Sequence, residues 1–192
     1  MVSVYLKSIL KMFINSYDVD FKDNQETKYL KFISDDWLWY PLRKEETDWC
    51  ELIGKTRTES RKFSKNNFAN DKRAENDVHA VCGELLASRI LKEPINQLTV
   101  LKDKNMPDVG VFDVKTTTYD RDWRIYINES TIKRDRPYIL ATTFLYPKYI
   151  AAIGWIYGDL VTNGPVKLSF RNKEKAYWCS WHRLKPIQEI LK

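Results

Sequence analysis

The sequence predicts a mixed α/β fold, in which a central sheet of mixed strand direction is flanked by helices. A long helical pattern from Asn76 to Leu91 is followed by many short segments rich in β-branched and aromatic residues. Turn residues separate these segments at short intervals, which is typical of successive strands in one sheet. The 192 residues, of which 43% are hydrophobic, are enough for one domain with a sizeable core.

Residues 1–70 are predicted to form an N-terminal extension to this domain. An amphipathic helix is expected over Val4–Ile14, followed by short strands at Tyr29–Ile33 and Trp37–Tyr40, the second of which ends at a proline. The polar, basic segment Arg57–Asn67 is compatible with a helix or with a connector, and its sequence does not decide between them.

Residues 71–192 are predicted to form the core. Asn76 or Asp77 can cap the long helix at its N-terminus, and Pro94 stops it. The strands predicted after it are Leu98–Leu101, Pro107–Val109, Val111–Thr118, Trp123–Ile127, Tyr138–Leu145, Tyr149–Tyr157, Val166–Phe170 and Ala176–Cys179. Short helices are predicted at Glu129–Arg134 and Pro186–Leu191, and a turn at Asn163–Pro165.

Charge and cysteine content restrict the class of protein. Lysine and arginine exceed aspartate and glutamate by 32 to 26, and a net charge of +6 is compatible with a polyanionic partner. The basic residues between Gly54 and Arg73 either form a solvated helix face or contact phosphates. Three widely separated cysteines argue for a reducing compartment, and no apolar run approaches the ~20 residues that span a bilayer. The sequence therefore predicts a cytoplasmic protein that does not enter a membrane.

Two carboxylates and a lysine are concentrated in one predicted hairpin. A two-residue turn that begins at Gly110 places Asp108 directly across from Asp113. Facing like charges destabilise a strand pair, and a divalent cation between them removes that penalty. Because residues two apart in a strand point the same way, Asp113 and Lys115 share a face. The hairpin is thus a candidate metal site.

A third carboxylate, Glu84, lies on the long helix before the hairpin. Its neighbours at helical spacing form a small, mostly apolar stripe, where a carboxylate is unfavourable unless it is paired or bound to a metal. Gly83 beside it allows a strand or a ligand to approach closely. The alternative is that Glu84 forms an ion pair with a lysine at the edge of the helix.

These residues form a pattern that resembles the PD-(D/E)XK, or restriction-endonuclease-like, nuclease superfamily. The pattern is a helix glutamate, a Pro-Asp pair and an Asp-x-Lys strand, found here as Glu84, Pro107-Asp108 and Asp113-Val114-Lys115. A narrower resemblance to an uncharacterised, largely phage-encoded group rests on Gly83-Glu84, Pro107–Gly110, a Lys-Thr-Thr strand end, Gly154–Ile156 and Ala176–Trp178. In that group the lysine position is often another residue, whereas this chain retains Lys115.

The resemblance implies a restriction-endonuclease-like core and a metal-dependent deoxyribonuclease, an endonuclease of phage origin acting in the host cytoplasm. It implies that Mg²⁺, or Mn²⁺ in its place, is held by Asp108, Asp113, the backbone carbonyl of Val114 and Glu84. Lys115 would then orient or help to deprotonate the attacking water.

Further contacts to DNA are predicted around this site. The candidates are Lys62, Lys65, Thr116, Thr117, Arg121, Arg124 and Arg134. Each basic residue is alternatively a solvated surface group, and the threonines alternatively serve only β structure. Two other functions remain open: an inactive nucleic-acid-binding protein on the same fold, and a phage protein that binds a host protein through residues 1–70. Cutting both strands of DNA needs two sites, which would suit a homodimer.

Overall fold

The structure is a computed structural model that describes residues 36–65, 71–96, 105–119, 123–168 and 174–191. The chain divides into two compact units, residues 1–35 and 36–192, and the first lies outside the described residues. The elements predicted at Val4–Ile14, Tyr29–Ile33 and Leu98–Leu101 also lie outside them. No helix among the described residues is long and apolar enough to cross a membrane.

The described elements follow one another along the chain as strands, three α-helices and two short 3-10 helices. They are β1 (Leu38–Pro41), α1 (Lys44–Lys65), α2 (Asp71–Leu91), β2 (Asp113–Thr117), β3 (Arg124–Asn128), β4 (Pro137–Thr142), β5 (Tyr149–Tyr157), α3 (Gly158–Thr162), β6 (Val166–Leu168), β7 (Lys175–Ser180) and the 3-10 helices Trp181–Arg183 and Ile187–Ile190.

Four strands form the first sheet, in the spatial order β1-β5-β4-β2. β4 runs parallel to β2 and antiparallel to β5, and β5 pairs antiparallel with β1. The prediction of a mixed α/β fold with a mixed central sheet is confirmed. β2, the strand that carries Asp113 and Lys115, is at one edge of this sheet, with β4 as its neighbour.

Three further strands form a second, antiparallel sheet in the order β3-β7-β6. Buried side chains of this sheet, such as Ile125 and Cys179, share a core cluster with Leu140 and Ile153 of the first sheet. Helix α2 shares the other core cluster with Val114 and further residues of the first sheet. The first sheet therefore lies between the helices on one face and the second sheet on the other.

Helices α1 and α2 pack closely because a glycine lies where they cross. A Cβ atom on Gly54 would lie 2.7 Å from the backbone of Val78, so only glycine fits at this point. Cys50 and Cys82, one from each helix, are fully buried at the same contact. The segment predicted as a helix or a connector, Arg57–Asn67, continues α1 as far as Lys65.

The boundary of the core differs from the predicted one. β1 pairs with β5 and α1 packs against α2, so residues 36–65 belong to the same compact unit as the rest of the core. The described unit begins at Asp36 and not at residue 71. The first half of α1 lies in the acidic part of the sequence, and its apolar, core-facing side was therefore not recognised.

Some local predictions are wrong, and one helix was not predicted. α2 begins at Asp71, before the predicted caps Asn76 and Asp77. Glu129–Arg134 forms turns and not a helix, since the backbone N–H of Glu129 donates to the carbonyl of Lys175 and that of Ser130 to Glu174. Pro107–Val109 is not a strand and contributes only isolated bridges at Val109. The short helix Gly158–Thr162 was not predicted. At Glu129–Arg134, contacts with a distant part of the chain decide the local conformation.

Candidate metal centre

The hairpin has the two-residue turn that the sequence predicts, but with a bulge before it. Val109 and Phe112 exchange two backbone hydrogen bonds, of 3.0 and 2.8 Å, around this turn. Gly110 occupies the first turn position with φ of +52°, a conformation that favours glycine. The carbonyl of Phe112 also accepts from the backbone N–H of Asp108 at 2.9 Å, so Asp108 and Val109 both face Phe112, and the predicted direct pairing of Asp108 with Asp113 does not form.

Asp108 is buried and is held by the backbone around it. Its Oδ2 accepts a hydrogen bond from the backbone N–H of Val114 at 2.8 Å, and its carbonyl accepts one from the N–H of Asn96 at 2.9 Å. The side chain of Asn96 donates in turn to the carbonyl of Gly110 at 2.9 Å. These contacts fix Asp108 beside the first residues of β2.

Asp113 and Lys115 lie on the same face of β2, as predicted from strand alternation. Both carboxylate oxygens of Asp113 accept from Nη1 of Arg136, at 3.1 and 3.3 Å. The Nζ of Lys115 lies 5.6 Å from the ring centroid of Tyr138. Burial raises the pKa of Asp113 above its ordinary value, Lys115 and Arg136 lower it, and the charge of Asp108 adds to the increase. The two aspartates are thus close enough to repel each other.

The opposite face of β2 packs against α2 at Gly83. A Cβ atom there would clash with Oγ1 of Thr116 and lie 3.3 Å from Cγ1 of Val114. The prediction that Gly83 allows a close approach is therefore confirmed, and the approaching element is β2. Oγ1 of Thr116 is buried at this contact without a hydrogen-bond partner, so the hydroxyl faces the helix and not a phosphate.

Glu84 is buried and forms a bidentate ion pair with Arg57 of α1. Nη1 and Nη2 of Arg57 donate to the two carboxylate oxygens at 3.0 and 2.6 Å, and the side chains are 5% and 4% exposed. Burial by itself lowers the pKa of Arg57, but Glu84 and then the charges of Asp108 and Asp77 raise it above its ordinary value. The expected alternative was a lysine partner at the edge of the helix; the partner is an arginine, and the pair is buried.

The predicted site residues thus form two groups, and Asp108 lies between them. Asp113, Lys115 and Arg136 are on the face of β2 turned away from α2, whereas Glu84 and Arg57 are on the helix side. Among residues 36–65, 71–96, 105–119, 123–168 and 174–191, no group of three or more histidine, cysteine, aspartate or glutamate side chains forms a potential metal-binding cluster. The structure brings Asp108 close to Asp113 and keeps Glu84 with Arg57.

A two-carboxylate site still suits Mg²⁺. This ion usually keeps several waters and takes one or two protein carboxylates together with oxygen atoms of the substrate phosphates. Asp108 and Asp113 are two such carboxylates, and a dication would neutralise the negative charges by which they repel each other. Val114, which directly follows Asp113, carries the backbone carbonyl that the resemblance implies as a third oxygen ligand. The chemistry of this donor set fits the ion.

The predicted DNA contacts on the described strands have different surroundings. Oγ1 of Thr117 accepts from the N–H of Tyr119 at 3.3 Å. Arg124 lies on the second sheet, with its guanidinium carbon 4.3 Å from the centroid of the Trp178 ring. Arg134 is exposed. These residues do not surround the carboxylates as one patch, and Arg124 belongs to a separate basic and aromatic surface.

The remaining predicted DNA contacts have no described side chains. Lys62 and Lys65 lie in the last turns of α1, where the backbone is described, and Arg121 lies outside the described residues. Their role in DNA binding stays a prediction.

The sequence-based argument did not assign Arg57 and Arg136 to the carboxylates. It treated both only as basic residues that could contact nucleic-acid phosphates. A signal for Arg57 exists, because Cys50, Gly54 and Arg57 lie at helical spacing and mark one face of α1 as buried. No comparable local signal marks Arg136, which contacts Asp113 from the start of β4.

Comparisons with known proteins do not assign this chain to a family. The PD-(D/E)XK resemblance therefore stays a prediction from the residues themselves. No protein-family model, no curated protein and no solved structure matches the chain.

Proposed function

We propose that this protein is a Mg²⁺-dependent nuclease that hydrolyses phosphodiester bonds in DNA. The observation that supports it best is the hairpin, which brings Asp108 close enough for its charge to act on Asp113, the first residue of β2, and has Lys115 on the face of Asp113. Stability alone does not favour two neighbouring carboxylates, one of which has a raised pKa. Hydrolysis of a phosphodiester uses this combination of acidic oxygens and a nearby amine.

Each residue has a definite role in this proposal. Asp108, Asp113 and the carbonyl of Val114 would hold the ion, which supplies Lewis acidity towards the phosphate and towards water. The ammonium group of Lys115 orients the attacking water and offsets negative charge on the phosphate. Arg136 pairs with Asp113 and would offset part of the negative charge at the site.

Glu84 does not belong to the ion's immediate surroundings in this arrangement. Its two oxygens are taken by Arg57 on the helix side of β2. The proposed centre therefore depends on the two aspartates, and removal of Glu84 is expected to affect stability more directly than catalysis.

A second candidate is a non-catalytic nucleic-acid-binding protein on the same fold. The observation that favours it is that Arg57 and Arg136 already neutralise Glu84 and Asp113 without any metal. A basic protein of this kind would bind DNA through its surface charge, and its buried ion pairs would be structural.

A cleavage assay separates the two candidates. Purified protein is incubated with linear, circular, branched and single-stranded DNA in Mg²⁺, in Mn²⁺ and in chelator. We expect cleavage that requires the ion and falls at least about a hundredfold in Asp113→Ala and Lys115→Ala. Asp48→Ala and Lys44→Ala are matched controls, because these residues form an exposed pair on α1.

The outcomes are distinct. Cleavage that persists in chelator, or in both site variants, contradicts the nuclease proposal. Binding of DNA without cleavage in any metal favours the second candidate. Cleavage of circular DNA identifies an endonuclease.

A further inference from the structure

The second sheet carries two aromatic rings on the face that is turned away from the first sheet. Ile125 and Ile127 of β3 are buried in the core that the two sheets share, so Tyr126 between them points to the opposite face. Its direct partner on β7 is Trp178, which therefore lies on the same face as Tyr126. Tyr126 is 44% exposed. These two rings form the centre of the surface.

Two cations reach the ring of Trp178 from the strands on either side of it. Arg124 precedes Tyr126 by two residues on β3, and its guanidinium carbon lies 4.3 Å from the centroid of the Trp178 ring. Lys167 belongs to β6, where it pairs with Ala176, and its Nζ lies 5.2 Å from the same centroid. We call Arg124, Tyr126, Lys167 and Trp178 the aromatic face.

The described positions of this face carry positive charge and no negative charge. Strand register also assigns to it the uncharged residues Asn128, Ala176 and Ser180. Lys167 is exposed, whereas Arg124 is half-buried and has a further interaction besides its contact with the ring. Lys167 and Tyr126 are therefore the two groups that a partner reaches most directly. The surface complements a partner that combines negative charge with flat rings.

Single-stranded nucleic acid has this combination of chemical groups. Its phosphates are negative, and its unpaired bases stack on aromatic side chains and on guanidinium groups. In a duplex, the faces of the bases are covered by the neighbouring base pairs. An exposed tyrosine next to an arginine that is stacked on a tryptophan therefore suits the single-stranded form.

We propose that the aromatic face binds single-stranded DNA, with a base stacked on Tyr126 and a phosphate next to Lys167. The choice of DNA rests on the proposed function, and the inference names the form of DNA that the protein holds. β3 also lies close to β2, the strand that carries Asp113 and Lys115. DNA bound on the aromatic face is thus held by a strand that neighbours the candidate centre.

The test measures binding in the presence of chelator, where a metal-dependent nuclease does not cut the probe. The dissociation constant of a fluorescently labelled oligothymidylate of about 12 nucleotides is measured by fluorescence anisotropy. We expect Tyr126→Ala to bind it at least about fivefold more weakly than the wild type, because the stacking of a base on the ring is lost. Tyr126→Phe keeps the ring and should bind as the wild type does.

Tyr157 of β5 offers a matched control for the tyrosine. It is 42% exposed but lies on the first sheet, so Tyr157→Ala should leave the affinity for the oligonucleotide unchanged. A DNA duplex of the same length is a second control, and Tyr126→Ala should bind it as tightly as the wild type does. Circular dichroism establishes that each variant is folded. If Tyr126→Ala does not fold, Tyr126→Thr, which keeps a strand-forming residue, takes its place.

Lys167→Ala tests the phosphate contact. Loss of one contact with a phosphate of single-stranded DNA should lower the slope of log K against log salt by about 0.7. Lys44→Ala removes an exposed lysine from α1 and should leave this slope unchanged.

Four results would overturn the inference. A wild type that does not bind the oligothymidylate lacks the proposed surface. Unchanged affinity in a folded Tyr126→Ala or Tyr126→Thr variant, or an equal loss of affinity for the duplex, excludes base stacking. An unchanged salt slope in Lys167→Ala excludes the phosphate contact. Tighter binding of an oligouridylate than of the matching oligodeoxyuridylate assigns the face to RNA.

These outcomes are separate from those of the cleavage assay. None of the four bears on whether cleavage requires the ion, Asp113 or Lys115, so each leaves the proposed function to be decided by that assay. Conversely, single-stranded DNA that binds through Tyr126 and Lys167 but is not cleaved in any metal contradicts the proposed function and supports the binding surface.

Discussion

Positively charged side chains have different surroundings at the two sheets of this protein. At the first sheet, Arg57 and Arg136 reach inward and pair with carboxylates at short distances. On the second sheet, Arg124 and Lys167 lie against the ring of Trp178, 4.3 and 5.2 Å from its centroid. The same residue types therefore act as buried counter-ions in one region and as ring-stacked surface groups in the other.

This difference indicates where in the fold a charged group is buried enough to take part in a reaction. Charges in a buried setting interact more strongly than charges in water, and an unpaired one is expensive. At the first sheet, Glu84 and Asp113 are therefore held in fixed places by their arginine partners, and burial raises the pKa of Asp113. At the second sheet, loss of a ring-stacked cation is expected to change stability little. The following predictions test this contrast between the two sheets, in order from the largest expected effect to the smallest.

Glu84→Ala should have the largest effect on stability. It takes from Arg57 its bidentate partner, and breaking a buried pair in this way typically lowers the free energy of unfolding by about 3–5 kcal/mol. Urea denaturation followed by circular dichroism measures the change. Arg57→Met with Glu84→Leu should recover most of the loss, because no buried charge of the pair remains. A loss below about 1 kcal/mol for Glu84→Ala, as for an exposed pair, would contradict the contrast.

Gly83→Ala should have the next largest effect. The new Cβ would clash with Oγ1 of Thr116, and overpacking of this kind lowers the free energy of unfolding by about 1–3 kcal/mol. Thr116→Ala removes that oxygen, which has no hydrogen-bond partner, so the double variant should be more stable than Gly83→Ala alone. Thermal unfolding of the three variants checks this. Strictly additive effects would show that the helix does not touch β2 at this point.

The pH dependence of stability should reveal Asp113. Its pKa is raised in the folded protein above the ordinary value of 3.8, so the folded state binds the proton more strongly than the unfolded chain. This contribution is fully present below the unfolded pKa and is lost as the pH rises through the folded pKa. The free energy of unfolding of the wild type, minus that of Asp113→Asn, should therefore fall between about pH 3 and about pH 7.

Urea titrations of both proteins across this pH range provide the measurement. The amide cannot titrate, and its weaker contact with Arg136 adds an offset that does not change with pH. A difference that rises with pH would mean that Arg136 and Lys115 outweigh burial and Asp108.

Arg124→Ala should have the smallest effect on stability. Arg124 is half-buried, and a contact between a cation and an aromatic ring is worth about 0.5–2 kcal/mol between exposed and desolvated sites, so the free energy of unfolding should change by no more than this. If Arg124 contacts a DNA phosphate, the variant should also weaken binding for all sequences and lower the slope of log K against log salt by about one. Lys175→Ala, on a neighbouring strand, is the comparison. An unchanged salt slope would exclude a phosphate contact.

Sequence reasoning succeeded where local rules decide. Gly110 favours a positive φ, and the predicted two-residue turn forms there, although the bulge at Asp108 was not predicted. Strand-forming residues likewise identified β5 over its full length, Tyr149–Tyr157. Helix periodicity identified the buried position of Glu84.

Sequence reasoning could not predict contacts between residues that are far apart in the chain. Arg57 is 27 positions before Glu84, and Arg136 is 23 positions after Asp113, so neither ion pair has a local pattern. The segment predicted as a helix at Glu129–Arg134 was likewise decided by hydrogen bonds to Lys175 and Glu174. A pattern in the sequence can therefore nominate three carboxylates, but only the folded chain shows that two of them, Glu84 and Asp113, are paired with arginines.

Among the described strands β2 is at an edge of its sheet, and this has a consequence for how the protein behaves at high concentration. An edge strand presents open backbone groups that another copy can pair with, and charged side chains discourage this. Asp113 and Lys115 supply the charge in the sequence Asp-Val-Lys-Thr-Thr. Replacing both with alanine leaves an uncharged, β-prone segment, so we expect that variant to aggregate, as light scattering would show. The residues proposed for the reaction would then also protect the chain from self-association.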